Sequence, residues 1–238
     1  MLFHDAIEPA TLELLKRLQA LPALAETRLV GGTALALQLG HRISVDIDVF
    51  GKWNYAEDLA GVFSAIGRTE KESGTPNGRM AFFYIDGVKV DCVAYDMYEW
   101  LEPPVEEEGV RLVGIRDIAA MKVNAITNRG TRKDFVDMAR LLDDYPLTDI
   151  FAWYRAKYPT ANPALAMRSL SYFVDAETMP MPKMLIPFDW DEAKDRIRAA
   201  VRKLAVNDEE RNDEKDNHCN RRDGGNNGGA HCACRHLD

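Results

Sequence analysis

The stretch SVDIDVF, at residues 44–50, constrains the fold of this chain more than any other feature of its 238 residues. Apolar residues alternate there with Asp46 and Asp48, and a period of two is that of a β-strand. The apolar side chains then face a core, while the two carboxylates share the opposite face of a sheet. Aspartate is a poor strand former, and like charges on one strand face cost stability unless a cation lies nearby. The pair therefore indicates either a cation site or a solvent-facing acidic strand.

Further strands are predicted around this segment, in the first half of the chain. Residues 28–30 form a short predicted strand, and residues 80–85 and 88–94 a predicted hairpin, because Asp86-Gly87 is typical of a two-residue turn. Helices are predicted over residues 9–25, 34–39 and 55–66, and loops over residues 72–79 and 102–109.

From residue 115 the hydrophobic pattern becomes helical. Helices are predicted over residues 117–128, 132–143, 148–158, 163–173 and 190–204, with an irregular proline-rich stretch at residues 179–187. Strands followed by helices predict an α+β fold, in which a small mixed β-sheet core precedes a helical C-terminal half.

This order divides the chain into three predicted regions. The first is the sheet core at residues 1–113, and the second is a helical domain at residues 114–206 that completes a cleft with the core. The third, residues 207–238, is rich in Asn, Asp and Gly and poor in aliphatic side chains, so we predict a disordered tail.

Charge and composition exclude several classes of protein. The net charge of −8 excludes a bulk nucleic-acid coat, so any nucleic-acid contact has to come from a local basic patch. The apolar runs are too short to span a bilayer, and the N-terminus lacks the pattern of a signal peptide. The four cysteines form no disulfide framework. We therefore expect a cytoplasmic protein that does not enter a membrane.

A third acidic residue, Asp91, interrupts the apolar run VKVDCV. It is predicted to share a strand face with Lys89, opposite to the face of Val90 and Cys92. Magnesium prefers carboxylate oxygens, and phosphoryl transfer commonly uses two divalent ions held by such groups. The sequence therefore predicts a magnesium site, with two ions, at Asp46, Asp48 and Asp91.

The turn Gly31-Gly32-Thr33 lies between a predicted strand and a predicted helix. Glycines allow the backbone to approach a ligand closely, and a helix N-terminus offers N–H groups to phosphates. Taken alone, this pattern is more typical of a plain turn with a helix cap. Together with the neighbouring aspartates it predicts a nucleoside triphosphate (NTP) site.

The block LVGGTALALQLGHRISVDIDVF resembles the signature of the DNA polymerase β-type nucleotidyltransferase superfamily, and more narrowly that of the nucleotidyl transferase AbiEii/AbiGii toxin family. In that family a GG-T/S turn precedes an R-x-S-x-D-I-D-L/V-F block, and the helical half carries a lysine and a K-D-x-x-D element. Here these match Lys122 and the sequence KDFVD at residues 133–137. The resemblance spans residues 29–142.

The resemblance implies a role for each matching residue. The NTP, chiefly its phosphates, would be held by Gly31, Gly32, Thr33, Arg42, Ser44 and Lys122, with Ser44 also supporting the metal-binding loop. The metal ligands and catalytic groups would be Asp46, Asp48, Asp91, Lys122 and Asp137, with Asp91 also accepting the proton of the attacking hydroxyl. Asp134 and Asp137 would orient Lys122 or Arg129, or take part in catalysis.

Two readings of the basic residues in the helical half stay open. Arg129, Arg132, Lys133 and Arg140 could contact phosphates of a nucleic acid, or pair with acidic residues at helical spacing. Lys122 could equally be a surface lysine whose stem packs on the protein.

The activity that the resemblance implies is transfer of a nucleoside monophosphate (NMP) from an NTP to RNA, at a tRNA 3′ end. The protein would then be the toxin of a toxin–antitoxin or abortive-infection system, with a cognate antitoxin as partner. One alternative is an antibiotic-type nucleotidyltransferase, whose acidic acceptor pocket could use the run at residues 106–108. The other alternative is a non-catalytic NTP-binding module.

Overall fold

The computed structural model describes residues 1–53 and 58–223, with side chains described up to residue 206. The chain divides into two compact units, residues 1–201 and 202–238. The first unit contains the sheet and most of the helices. In the second unit, the described backbone is helical up to Asp223.

The described strands form one mixed sheet. They are β1 (Glu26–Leu29), β2 (Ile47–Lys52), β3 (Thr69–Gly74), β4 (Met80–Ile85), β5 (Val88–Ala94), β6 (Val105–Glu107) and β7 (Val110–Leu112), in the order β3-β4-β5-β2-β1-β7-β6. Strand β2 runs parallel to β5, β1 runs parallel to β7, and the other neighbours are antiparallel. The predicted α+β class with a small mixed sheet is confirmed.

Helices dominate the second half of the chain, as predicted. The described α-helices are α1 (Pro9–Gln19), α2 (Gly31–Leu39), α3 (Leu59–Ser64), α4 (Ile115–Asn128), α5 (Arg132–Asp144), α6 (Leu147–Lys157), α7 (Pro163–Ser169), α8 (Val174–Glu177) and α9 (Trp190–Asp223). None of these helices is long and apolar enough to cross a membrane.

Helix α9 extends into the region that we predicted to be disordered, since it continues to Asp223. Residues 224–238 lie outside the described residues, as do residues 54–57 within the predicted helix at residues 55–66. The division into a core, a helical domain and a tail therefore stays a prediction.

Two of the predicted loops contain strands. Strand β3 has the sequence TEKESG and lies at the edge of the sheet, where its side chains are mostly exposed. An edge strand of this kind shows no apolar alternation, because backbone hydrogen bonds to β4 hold it in place. The hairpin β6–β7 turns at Glu108 and Gly109, whose φ angles are 54° and 80°. Both predictions of a loop were wrong where these strands lie, and β6 and β7 were missed because three residues each are too few for an alternation to be recognised.

The sheet has one buried face and one partly open face around β4. Phe83 is buried and contacts Phe63 of α3, with ring centroids 5.0 Å apart. On the opposite face, Met80 and Tyr84 remain 37% and 38% exposed. The hairpin β4–β5 turns at Asp86-Gly87 as predicted, with φ angles of 51° and 82°.

A buried ion pair ties the loop after β5 to the helices. The ammonium group of Lys157 lies 2.6 Å from Asp117 Oδ1, and both side chains are fully buried. Asp117 also accepts the backbone N–H groups of Leu101 and Glu102. Lys157 donates in addition to the carbonyl of Glu99. The contacts join α4, α6 and residues 99–102.

We expect Asp117→Ala to lower the free energy of unfolding by about 3–5 kcal/mol, because it leaves a buried ammonium and two N–H groups without a partner. Urea denaturation of the purified protein measures this loss. Asp195→Ala removes a carboxylate that is 77% exposed and should change little. Equal stability of the two variants would contradict the assignment of the Asp117–Lys157 pair.

Candidate functional site

A cleft of about 350 Å³ opens between the sheet and helix α4. Gly31 and Asp48 line its sheet side, and Lys122 and Arg129 line its helical side. One part of the wall is aromatic, from Phe50, Tyr95, Tyr98 and Tyr158. A volume of this size suits a small organic ligand, with a few polar groups to orient it.

The two glycines of the turn make room for side chains of the site. Gly31 has a φ of +70°, and a Cβ added there would lie 2.5 Å from Asp48 Oδ2. A Cβ on Gly32 would collide with Nη2 of Arg42. Glycine is therefore required at both positions for Asp48 and Arg42 to reach the start of α2. The predicted phosphate-binding roles of Gly31 and Gly32 remain predictions.

Thr33 anchors the loop before β2. The residue is 1% exposed, and its hydroxyl donates to the backbone carbonyl of Asp46 and lies 2.8 Å from the hydroxyl of Ser44. Thr33 thus holds residues 44–46 against α2, which is the support that we expected of Ser44. In this structure its hydroxyl faces the protein, so direct phosphate binding by Thr33 stays a prediction.

The predicted strand alternation is wrong for the residues just before β2. Strand β2 begins at Ile47, so Asp46 precedes it, and Val45 is 57% exposed instead of facing the core. The anchoring by Thr33 bends this segment away from a regular strand. Asp48 is therefore on the strand face and Asp46 on the adjoining loop.

Asp48 and Asp91 occupy opposite positions on the neighbouring parallel strands β2 and β5. Burial raises the pKa of Asp48 to about 6, and the negative charges of Asp91 and Asp46 act in the same direction. Asp91 Oδ2 accepts a hydrogen bond from Lys89 at 3.0 Å. Asp46 Oδ2 lies 3.7 Å from the ammonium of Lys133. Two of the three carboxylates are therefore partnered by lysines.

The chemistry of these carboxylates fits a divalent cation. Within the described residues, Asp91 Oδ1 is buried and has no hydrogen-bond partner, and buried oxygens of this kind are costly. Asp48 is destabilised as an anion by the same neighbours that would act as co-ligands. The described part of the chain contains no group of three or more His, Cys, Asp or Glu side chains already placed around one point. The predicted three-carboxylate site stays a prediction.

Lys122 is buried in an ion cluster and does not project freely into the cleft. Its ammonium lies 2.9 Å from Asp134 Oδ1 and 2.6 Å from Asp137 Oδ2. Arg42 binds Asp137 through two hydrogen bonds, of 2.6 Å and 2.9 Å, and His41 contacts the same carboxylate at 2.8 Å. The reading of Lys122 as a surface lysine is wrong, because its side chain is 5% exposed.

Asp137 is fully buried, so its carboxylate cannot touch a substrate while these contacts persist. Burial alone would raise its pKa, but the charges of Lys122 and Arg42 outweigh burial and hold the pKa well below its usual range. The pKa of Asp134 is lowered in the same way by Lys122 and Arg129. We infer that Asp137 and Arg42 position the site, in place of the catalytic and phosphate-binding roles first expected.

Of the other basic residues in the helical half, some pair with groups of the protein and one is open to a phosphate. Arg140 pairs with Asp144 at 2.8 Å, and Arg132 donates to the carbonyl of Ala176, so both are held by the helical half. Arg129 lines the cleft with a side chain that is 59% exposed, while also donating to Asp134. Arg129 is therefore a cation that a bound anion could reach.

Sequence reasoning missed the aromatic wall and His41. Two aromatic residues just after β5, Tyr95 and Tyr98, were a usable signal for a base-sized pocket. No signal in the sequence distinguished His41, since its importance depends on Asp137, a residue 96 positions later.

The family model described as nucleotidyl transferase AbiEii toxin, type IV toxin–antitoxin system, matches residues 13–216. The chain belongs to this family. It is therefore a nucleotidyltransferase from a toxin family, which implies an NTP substrate and an antitoxin. An uncharacterised protein of Aquifex aeolicus is 30% identical over 203 residues, which is 82% of this chain and 96% of that protein.

The chain is similar in fold to a solved structure, and a second solved structure resembles it less. A candidate nucleotidyltransferase of Helicobacter pylori superposes with a TM-score of 0.50 at 18% identity, over 84% of this chain and 98% of that one. The MenT4 nucleotidyltransferase toxin of Mycobacterium tuberculosis H37Rv has a TM-score of 0.48 at 13% identity, over 81% and 80% of the two chains.

We expect Gly31→Ala to lower the rate of nucleotidyl transfer by roughly tenfold to a hundredfold, because the new Cβ displaces the Asp48 carboxylate. Gly87→Ala is the matched control, since Gly87 also has a positive φ, of +82°, but nothing lies within 4 Å of an added Cβ. Both variants should lose stability by about 1–2 kcal/mol through backbone strain. Equal activities of the two variants would refute the role of Gly31.

We expect Asp137→Asn to be less stable than the wild type at neutral pH by about 3 kcal/mol, because Arg42 and Lys122 lose their shared counter-ion. The folded-state pKa of Asp137 is depressed, so its stabilising contribution is present above the unfolded pKa and is lost as the pH falls below about 4. The difference in free energy of unfolding between the variant and the wild type should therefore become smaller in acid.

Urea denaturation across this pH range measures the effect. Asp144→Asn removes an exposed carboxylate, 46% accessible, from the same helix and should keep the wild-type profile. The difference in free energy of unfolding between Asp137→Asn and the wild type could instead stay constant from neutral pH into acid. That result would show that the ion cluster does not stabilise the fold as described.

Proposed function

We propose that the protein transfers NMP from an NTP to the 3′ end of an RNA, most directly a tRNA, in a magnesium-dependent reaction. The observation that carries the proposal is the pairing of Asp48 with Asp91 on adjacent strands, beside a cleft of nucleoside size. As a member of a toxin family, the protein would act on RNA of its own cell, and we expect it to be cytoplasmic.

The cleft accounts for binding of the NTP. The base would lie between aromatic side chains such as Phe50 and Tyr98, which offer flat surfaces for stacking. The phosphates would point to the start of α2, where the N–H groups of Gly31 and Gly32 have no acceptor within the helix. Arg129 would add a positive charge from the opposite wall.

Asp46, Asp48 and Asp91 would hold the magnesium. When bound, the metal would stabilise the negative charge that develops on the attacking and leaving oxygens. Asp46 and Asp91 would exchange their contacts with Lys133 and Lys89 for this cation. The buried, unpartnered Oδ1 of Asp91 is the oxygen best placed to take up such a contact, or to accept the proton of the attacking hydroxyl.

The remaining residues would orient the reactants. The 3′ oxygen of the acceptor forms a bond to the α-phosphorus, and the bond to the bridging oxygen of pyrophosphate breaks. The ion cluster of Lys122, Asp134 and Asp137 fixes α4 and α5 around the cleft, so that Arg129 stays beside the departing pyrophosphate.

No observation favours the antibiotic-modifying alternative. Residues 106–108 could have formed its acidic pocket, but Glu107 pairs with the N-terminal amine and Glu108 pairs with His4. These residues lie on the hairpin at the sheet edge and do not line the cleft beside Asp48.

We expect Asp48→Asn and Asp91→Asn each to reduce transfer of labelled NMP to total tRNA by roughly a hundredfold or more. The assay uses purified protein, each α-labelled NTP and magnesium, with products separated on a gel. Asp175→Asn, an exposed carboxylate away from the site, should keep wild-type activity. Full activity in Asp48→Asn would exclude the proposal, and labelling of an aminoglycoside in place of tRNA would support the alternative.

Magnesium binding gives a second readout that does not depend on turnover. Magnesium should raise the melting temperature of the wild type, since a ligand that binds only the folded state stabilises it. The rise should be smaller in Asp48→Asn and in Asp91→Asn. An identical rise in all three proteins would place the metal elsewhere.

A further inference from the structure

The sheet face that carries Asp48 and Asp91 continues across β4 as a row of large, partly exposed side chains. Met80 and Tyr84 are 37% and 38% exposed, and Phe82, between them, is half-buried. The other face of β4 is covered, since Phe83 is 1% exposed. Strand β4 therefore has a core side and an aromatic side that the described part of the chain leaves partly open.

The strand register aligns these side chains with the carboxylates. Asp48 of β2 is opposite Asp91 of β5, and Asp91 is opposite Phe82 of β4, so the three form one row across the sheet. In the next row, Lys89 is opposite Tyr84. Neighbouring strands lie about 4.8 Å apart, so Phe82 is one strand spacing from Asp91 and about 10 Å from Asp48.

A cation lies between the aromatic row and the carboxylates. The Lys89 ammonium is 6.0 Å from the centroid of the Phe82 ring and 3.0 Å from Asp91 Oδ2. Beyond Tyr84, the charge of Glu70 is paired with Arg68 at 2.7 Å. The surface thus combines two flat rings with a lysine, next to the residue that would accept the proton of the attacking hydroxyl.

This combination matches the chemistry of single-stranded nucleic acid. Sheet proteins bind RNA by stacking unpaired bases on exposed aromatic residues, and a neighbouring cation contacts the phosphates. Isolated apolar residues on a surface need no explanation, but these follow one face in register with the carboxylates. The cleft lies on the β1 and α4 side of Asp48, whereas the aromatic row lies on the β4 side.

We propose that the last nucleotides of a single-stranded RNA acceptor stack on Phe82 and Tyr84, with Lys89 beside their phosphates. The inference rests on the proposed function and names the acceptor side of that site. The acceptor and the NTP then approach the carboxylates from opposite sides, and the 3′ hydroxyl arrives at Asp91. An RNA end is favoured over a protein partner, because any occupant of Phe82 lies against Asp91, which the acceptor must reach.

The test compares Tyr84→Ala with Tyr84→Phe, which keeps the ring, and with Tyr172→Ala, which removes an aromatic residue, 54% exposed, outside the sheet. The binding probe is a short fluorescein-labelled single-stranded RNA with a free 3′ hydroxyl, followed by fluorescence anisotropy. We expect Tyr84→Ala to bind it roughly tenfold more weakly, whereas the other two variants bind like the wild type.

Steady-state transfer separates this inference from the proposed function. Tyr84→Ala should raise the KM for RNA about tenfold and leave the KM for NTP unchanged. If transfer to RNA occurs but Tyr84→Ala binds and reacts like the wild type, the acceptor surface is wrong and the proposed function stands. If the wild type transfers nothing while Tyr84→Ala still loses RNA binding, the surface stands and the proposed function fails. The inference is overturned if Tyr172→Ala loses as much RNA affinity as Tyr84→Ala does. It is also overturned if Tyr84→Ala binds RNA like the wild type, which is the result expected if this face binds a protein instead of RNA.

Discussion

The carboxylate of Asp137 is the contact on which the site depends most. It accepts hydrogen bonds from Arg42 and His41, which follow α2. It also forms an ion pair with Lys122 of α4. Buried charges are tolerated only when each has a partner, so these segments have to meet at one place. Asp137 itself lies on α5, and the cluster therefore joins the sheet side of the molecule to its helices. The cleft exists because these elements are held at this separation.

The cluster also explains the amino acids around it. Arg42 reaches Asp137 by passing over Gly32, where any larger residue would collide with its guanidinium group. Thr33 then fastens the loop that carries Asp46, and Gly31 leaves space for Asp48. The glycine turn thus serves the packing of charged side chains as well as any approach of phosphate. In a nucleotidyltransferase, that arrangement places the carboxylates next to the backbone N–H groups of α2 without a further loop.

Part of this arrangement was readable in the chain. Periods of two predicted β2, β4 and β5, and the Asp86-Gly87 turn predicted the hairpin that brings Asp91 back toward Asp48. Helices α4, α5 and α6 were predicted within two residues of their observed ends. Strand β3 and the hairpin β6–β7 were missed. Strand β3 lies at the sheet edge and is mostly exposed, so it carries no apolar alternation, and β6 and β7 have three residues each, too few for an alternation to be recognised. The sequence left the role of Asp137 open between orienting Lys122 and catalysis, because burial cannot be read from a carboxylate on a helix of mixed polarity.

The sequence by itself determined the family, the α+β class and the strand faces that carry Asp48 and Asp91, because these follow from local periodicity and from one continuous motif. Only the tertiary structure decided which charged groups face the cleft and which are buried together. It left the side chain of Arg129 exposed at the cleft and buried Asp137 in the ion cluster, with Lys122 paired to Asp137. It also placed Phe82 beside Asp91 through the register of β4 and β5. Such pairings join residues far apart in the chain, and the energy of a charge depends on its neighbours in space, which no local pattern records.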